Sequence, residues 1–314
     1  MYDLIIIGGG PAGITAAIYA MRKRVNTLLV SENMGGKTNY QMSAPGADIH
    51  QVIRGVEVIN NFRRELEYLD FAQRLEAVQS VTKREDDVFV VKLAGGDELL
   101  ALSVIVATGS RVRRLNVPGE QQFAGRGLSY SAVSHAPLFV GKHTTVIGDG
   151  MLAIRAVAEL MQVADMVHLV APTRGQLDAP MAKYLMTNPM KLSVFEGYTV
   201  KAIEGSQFAE RVIVEAPHGA EAEIHTDGVF VELGLIPNSE VVKNLVNLDS
   251  RGRIIVDNLT HTNCLGLFAA GDVTNAYAEQ VLVAIGEGAK AALSACEYLG
   301  FRKLLTESEN LILQ

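Results

Sequence analysis

The sequence predicts an α/β chain of two Rossmann-like dinucleotide-binding domains, the second inserted into the first. Three observations carry that prediction. Two glycine-rich turns occur, GGGPAG from Gly8 to Gly13 and GDGMLA from Gly148 to Ala153. Each follows a short apolar run and opens a segment with helical spacing, the strand, turn and helix setting in which GxGxxG marks a phosphate-binding turn. The 314 residues, 48% of them hydrophobic, suffice for two domains with a core each.

The run Leu4 to Ile7 reads as a buried strand because no polar residue interrupts it, and ITAAIYAMRKR after the turn reads as a helix. Between them Gly8 permits the tight turn, Gly10 lets backbone approach a pyrophosphate, and Gly13 lets helix and strand pack closely. The helix N-terminus adds free amides and a positive dipole. The next strand, Thr27 to Val30, ends in Ser31 and Glu32, where an acid accepts hydrogen bonds from an adenosine ribose. GGKTNYQMSAPGADIH reads as a loop, residues near Val52 to Leu69 as a helix, and DVFVVKLAGG and ELLALSVIVATGS as strands. RLNVPGEQQFAGRG, punctuated by Pro118, Gly119, Gly125 and Gly127, reads as a linker. Beyond it come the strand and turn TTVIGDG, a helix from Ala153 to Met161, the strand MVHLVAP, the hairpin ERVIVEAPHGAEAEIH and the strand VFVELG. From about Leu248 the chain returns with GLFAAGDVT and the helix VLVAIGEGAKAALSACEYL. The expected domains are 1–112 with 248–314, and an inserted 113–247.

Composition excludes several function classes. With 20% charged residues and a net charge of −7, the chain offers nucleic acid no basic surface. No apolar stretch reaches the roughly 18 residues of a membrane span, and the N-terminus enters a strand at once, so a cytoplasmic protein is expected. Membrane-surface contact through FRKLLTESENLILQ is not expected, since its acidic residues oppose anionic lipid. Cys264 and Cys296 are too far apart for a CxxC pair or a zinc ligand set. Neither a disulfide framework nor a metal site follows, and both read as small core residues.

The ordered set GGGPAG, VATGS (Val106 to Ser110), VPGE (Val117 to Glu120), GDG, LGLIPNSE (Leu233 to Glu240), FAAGD (Phe268 to Asp272) and QVLVAIGEGAKAA (Gln280 to Ala292) resembles the low-molecular-weight thioredoxin reductases and their two-dinucleotide flavoprotein relatives. The resemblance spans essentially the whole chain. It implies an FAD whose diphosphate rests on Gly8, Gly10, Ala12 and Gly13, with its adenosine ribose at Ser31 and Glu32 and its adenine against the backbone of Val78. Gly36 and Lys37 fall in the cofactor-binding segment, and Ala107, Thr108 and Gly109 let backbone pass close to the cofactor. Asp272, after Gly271, would hold a ribitol hydroxyl. Backbone groups at Gln280 and Val281 would face the flavin's pyrimidine edge, where a helix N-terminus favours the anionic reduced ring. A homodimer is implied too, with FRKLLTESENLILQ capping the flavin or docking on the second copy.

Departures from the family pattern are as informative. Where these reductases carry a dithiol in a segment resembling YCATCD, this chain has Tyr130, Ser131, Ala132, Val133, Ser134 and His135. A hydroxyl cannot form a disulfide, and only a thiolate attacks disulfide sulfur. Two origins stay open: divergence to another flavin task, or replacement of both cysteines of a CAVCHA parent. His135, ordinarily titrating near 6.5, is either the acid/base partner of that pair or a histidine bonded to backbone at a helix start.

The second turn also departs. NADPH-using relatives end the following strand in a histidine and two arginines, where this chain has Ala171, Pro172 and Thr173, with Leu177 in place of a third arginine. Each lost charge-assisted hydrogen bond is worth roughly 1.5–3 kcal/mol. Two losses weaken NADPH by on the order of a hundredfold to ten-thousandfold. No acid closes the strand for NADH. Gly148, Gly150, Met151 and Ala153 stay compatible with a pyrophosphate, Asp149 opposes one unless it points outward, and Arg155 and Arg174 are available to compensate. The expected function, resembling the diflavin-linked disulfide oxidoreductases of oxygenic photosynthetic bacteria, is an FAD-dependent, NADPH-independent oxidoreductase. Its electrons would move between FAD, a disulfide at 131/134 in the cysteine form, and a second bound FAD, toward an unidentified thiol or small electron-carrier partner. The SxxS form would be inactive in dithiol exchange. The alternatives are a dithiol-free flavoprotein trading electrons with ferredoxin or NAD(P)H, and a non-catalytic flavin or nucleotide sensor.

Overall fold

Unbroken apolar runs become the central, parallel strands of two sheets, one in each of two compact units. The computed structural model describes residues 1–40, 42–44, 46, 60, 64 and 72–312, with side chains to Leu305. The helix expected near Val52 to Leu69 lies outside the described residues, apart from Asn60 and Arg64. One unit comprises Met1–Asn39, Arg54–Arg111 and Ile236–Gln314, the other Tyr40–Ile53 and Val112–Leu235.

The chain runs through β1 (Tyr2–Gly9), α1 (Pro11–Arg22), β2 (Thr27–Met34), β3 (Gln73–Leu75), β4 (Val78–Lys83), β5 (Phe89–Leu93), β6 (Glu98–Val106) and β7 (Ser110–Val112). The next elements are α2 (Glu120–Phe123), β8 (Leu128–Ser129), α3 (Ala132–His135), β9 (His143–Ile147), α4 (Met151–Leu160), β10 (Met166–Ala171), α5 (Pro180–Leu185) and β11 (Leu192–Glu196). Then come β12 (Thr199–Gly205), β13 (Ala209–Glu215), β14 (Glu221–His225), β15 (Gly228–Val231), β16 (Leu235–Pro237), β17 (Leu267–Ala269) and α6 (Val281–Ile312).

In the first unit the strands order as β3-β2-β1-β6-β5-β4, with β17 also on β6. Strand β6 pairs parallel with β1 on one edge and serves two partners in succession on the other: residues 98–101 pair antiparallel with β5, and 104–106 pair parallel with β17. Leu4, Ile5, Ile6 and Ile7 are all buried, as expected of a parallel strand covered on both faces. Each contributes about 1.5–3 kcal/mol through burial. One face packs on α1 and α6 through Ile14, Ala16, Ala17, Ala291, Ala292 and Ala295. Small residues let these helices approach closely, and a Cβ at Gly288 of α6 would stand 2.1 Å from the Ala12 carbonyl oxygen. Strand β2 continues past its expected end at Val30, because an irregularity after Ile7 brings Gly9 opposite Met34.

The second unit holds the parallel sheet β11-β10-β9-β15-β8 and the antiparallel β12-β13-β14, which contains the expected hairpin. Val212, Val214 and Ile224 of the antiparallel sheet share a core with Ile147, Val170 and Val229 of the parallel one. The segment read as a linker is instead an ordered turn around a buried acid. Glu120, 3% exposed, accepts hydrogen bonds from the Leu115 amide (2.9 Å), the Asn116 amide (2.7 Å) and the Tyr130 hydroxyl (3.1 Å). Burial, and then the Glu120 charge, push the Tyr130 phenol well above its ordinary range. Gly119 sits at φ 85 with its Cβ position 1.8 Å from the Ile203 carbonyl oxygen, so the glycine marks a close packing contact.

Cys264 and Cys296 are free and half-buried, and burial raises both thiols above their ordinary pKa. Among the described residues no helix is long and apolar enough to cross a membrane, and no three His, Cys, Asp or Glu gather as metal ligands.

Candidate functional site

Three segments distant in sequence converge at the carboxyl end of the first sheet. Gly8, at φ 113, has its Cβ position 2.3 Å from the Ala107 carbonyl oxygen, and that of Gly13 lies 1.8 Å from the Gly8 carbonyl oxygen. Both positions exclude a side chain through the protein's own packing. Gly10 differs, because a Cβ there would meet nothing within 4 Å. Its neighbourhood is open, as at Gly109, which has φ 64. No side chain caps α1 at Gly10, so the first-turn amides are left for a ligand. Gly271, at φ 77, brings its Cβ position 3.1 Å from the Cβ of Ala12. Open space over two glycines beside an uncapped helix start fits the diphosphate of FAD.

Other predicted residues play roles the sequence did not suggest. Asp272 forms an ion pair with Lys37 at 2.5 Å, and Lys37 also donates to Ser110 Oγ at 3.0 Å. Ser31 is an internal brace, accepting from the Gly9 amide (2.8 Å) and donating to the Asn33 carbonyl (2.7 Å). Glu32 stands exposed beside it, and the Gly36 Cβ position is 3.3 Å from the Gly10 Cα. Val78 opens β4 opposite Leu93, and Gln280 precedes α6, accepting from the Ala284 amide. Two supporting residues escaped sequence reasoning. Glu287 accepts from the Gly271 amide at 2.9 Å, and Asn238 exchanges hydrogen bonds with Thr108 at 2.7 and 2.9 Å. The one available signal for Glu287 was an acid within an alanine- and glycine-rich helix.

In the second unit Ser131 begins α3 as its N-cap, and its Oγ donates to Ser134 Oγ at 3.0 Å. The Ser134 amide returns a longer bond of 3.4 Å to Ser131 Oγ. His135 Nδ1 lies 2.8 Å from Ser129 Oγ, which also receives the Ser131 amide at 3.0 Å. Burial depresses the His135 pKa, opposed by a hydrogen bond to the Ser131 backbone. Glu232, absent from the sequence-based candidates, holds the start of α3 by accepting from the Ala132 amide at 2.8 Å. It stood out only as an acid ending the apolar run VFV.

The second glycine turn repeats the architecture of the first. Gly148, at φ 151, has its Cβ position 2.6 Å from the Glu232 carbonyl oxygen, while at Gly150 nothing lies within 4 Å. Helix α4 starts at Gly150 without a side-chain cap, and Met151, its first residue, packs on the core. Asp149 turns toward the loop after β10, accepting from Thr173 Oγ1 at 2.6 Å, while its carbonyl accepts from the Gln176 amide at 2.7 Å. Ala171 and Leu177 are buried in the core, so neither faces a ligand. Arg174 is gripped on two sides: Asp178 takes Nε and Nη2 at 2.8 and 2.9 Å, and Glu196 takes Nη1 at 2.9 Å. The hydrogen bond from Arg174 holds the Asp178 carboxyl down at about 2. Arg155 is exposed on α4.

Residues 2–288 match the family described as pyridine nucleotide-disulphide oxidoreductase. Among curated proteins, a component of the alkyl hydroperoxide reductase of Pseudomonas putida is 35% identical over 309 residues, covering 95% of this chain and 58% of its own length. The NADH dehydrogenase of Bacillus subtilis (strain 168) is 35% identical over 302 residues, with the same two coverages. The chain thus spans under two thirds of these relatives. Among solved structures, thioredoxin reductase from Streptococcus pyogenes MGAS5005 superposes with a TM-score of 0.84 at 31% identity, covering 96% of this chain and 98% of that one. Thioredoxin reductase from Giardia duodenalis also gives 0.84, at 26% identity, covering 95% and 99%.

Proposed function

The chain belongs to the pyridine nucleotide-disulphide oxidoreductase family of FAD-binding enzymes, and we propose for it an NADPH-independent activity of the thioredoxin reductase type. In this reading electrons pass between FAD, a disulfide at positions 131/134 in the cysteine form, and a second FAD on the Gly148 to Ala153 turn. One observation carries the reading. The second unit keeps an uncapped glycine turn with open space at Gly150, while its nearby guanidinium, Arg174, is engaged by two carboxylates. FAD, when bound, supplies two-electron redox chemistry. The chain's own residues would hold it: the α1 amides and Gly10 at the diphosphate, Asp272 with Lys37 at the ribitol, and the start of α6 at the pyrimidine edge. The serine form is inactive in dithiol exchange, because oxygen does not enter that chemistry.

The test is flavin released on denaturation per chain, together with Ser131→Cys/Ser134→Cys. Two flavins per chain, and two further titratable thiols after reduction of the double variant, are the expected results. One flavin, or no change in thiols, removes the second FAD or the disulfide respectively. The serine pair favours a second reading, a dithiol-free flavoprotein exchanging electrons with a small carrier or NAD(P)H, because the hydroxyls already satisfy one another at 3.0 Å. Oxidation of the photoreduced serine form by ferredoxin supports that reading. We also propose a cytoplasmic homodimer, on the family resemblance, checked by light scattering of the purified chain.

A further inference from the structure

Parallel register brings three polar side chains to one face of the second unit's sheet, at the amino end of β9. His143 and Thr145, two residues apart on β9, share that face, and His168 of β10 stands directly opposite Thr145. The His143 and His168 rings lie 6.2 Å apart between centroids, tilted by 58°, and Phe195 of β11 covers the other side of His168 at 6.1 Å. Among the described residues two buried side-chain polar atoms lack a hydrogen-bond partner, and both belong to this face: Thr145 Oγ1 and His168 Nδ1. Thr145 is fully buried, whereas His168 is partly exposed, so its Nε2 is the ring nitrogen that reaches solvent. His143 is exposed, and its place on the strand is fixed by its amide, which donates to Asp227 Oδ2 at 2.9 Å. The glycine turn at Gly148 follows the opposite end of β9, so this cluster is separate from it.

We propose that His143 and His168 chelate a divalent cation of the zinc, nickel and copper class, with the Thr145 hydroxyl holding His168 in the coordinating tautomer. Neutral imidazole suits these ions, and imidazole is mostly neutral above a pH of about 6.5. One ion with bonds of about 2.1 Å to two rings spans at most about 6.5 Å between their centroids. The observed 6.2 Å lies within that reach, and turning the exposed His143 side chain closes the angle at the metal. A ligating histidine ordinarily gives its other ring N–H to an acceptor that fixes the ring's orientation. Thr145 Oγ1 is that acceptor for Nδ1–H, which leaves the Nε2 lone pair to the metal and gives both buried atoms a partner. Two imidazoles leave the remaining coordination positions to water. Hard cations such as Mg²⁺ prefer oxygen and are not held.

The experiment is calorimetric titration of the full chain at about pH 7.5, where imidazole is mostly neutral, with Zn²⁺ and Ni²⁺ as separate probes and Mg²⁺ as the control. Saturable binding of Zn²⁺ and Ni²⁺ is expected, and none of Mg²⁺. His143→Gln and His168→Gln are each expected to weaken both metals by at least about tenfold, since one imidazole no longer makes a chelate. Thr145→Val is expected to weaken them by about tenfold, and Thr145→Ser, which keeps the hydroxyl, to restore the affinity. No saturable binding of either metal, or affinities unchanged in His143→Gln, overturns the site. His143 is exposed, so that variant decides the matter even where His168→Gln does not fold. Weakening in both histidine variants with none in Thr145→Val overturns the part given to the hydroxyl and leaves the chelating pair.

Discussion

At the scale of single residues, Gly10 and Gly13 separate two reasons for a glycine. Gly13 has its Cβ position 1.8 Å from a backbone oxygen, so Gly13→Ala forces a backbone shift costing on the order of 3 kcal/mol. Gly10→Ala meets only open space and is expected to fold with nearly the thermal stability of the flavin-free wild type while losing most of its FAD. Melting temperature and flavin content together distinguish the two. Histidines give a pH prediction. Burial lowers both His135 and His168 below 6.5, His168 being further lowered by the His143 charge. A depressed folded-state pKa means stability is complete above about 6.5 and is lost as pH falls toward the folded-state values. The melting temperature of the second unit should decline below pH 6.5, and His135→Gln/His168→Gln should flatten that decline. The roles of Gly8 and Gly13 were legible because a glycine turn after an apolar run has one steric purpose. The Lys37–Asp272 pair was not, because it joins residues far apart in sequence through the fold alone.

At the scale of elements, the segment 115–130 shows how turn punctuation misleads. Pro118 and Gly119 look like a flexible connection, yet Glu120 organises the segment by accepting from two amides and a phenol. Glu120→Ala leaves those donors buried without their acceptor and should destabilise the second unit by about 3 kcal/mol. Tyr130→Phe removes one bond and should cost about 1 kcal/mol. Denaturant titration of both variants measures the difference, and equal costs would show that the carboxylate does not organise the turn. Strands β1, β6 and β9 were readable because runs such as LIII and SVIV bury both faces. The part played by Glu196 was invisible for a related reason: parallel strands acquire their neighbours through register, and no local pattern sets Glu196 beside Ala171.

At the scale of the whole molecule, two units with separate cores should report ligands separately. A ligand at a hundredfold its Kd stabilises the unit that binds it by about 2.7 kcal/mol. Scanning calorimetry with excess FAD should therefore raise the transition of the first unit, and raise that of the second only where a second flavin occupies the Gly148 turn. A single shifted transition would restrict flavin to the first site. The close crossing of α1 and α6 at Gly288 carries a consequence for biosynthesis. Helix α1 precedes the inserted unit along the chain, but its packing partner emerges only after that entire unit has been translated. The second unit is thus translated in full while β1 and α1 still await their cover, and flavin capture is expected to follow the synthesis of α6 rather than to precede it.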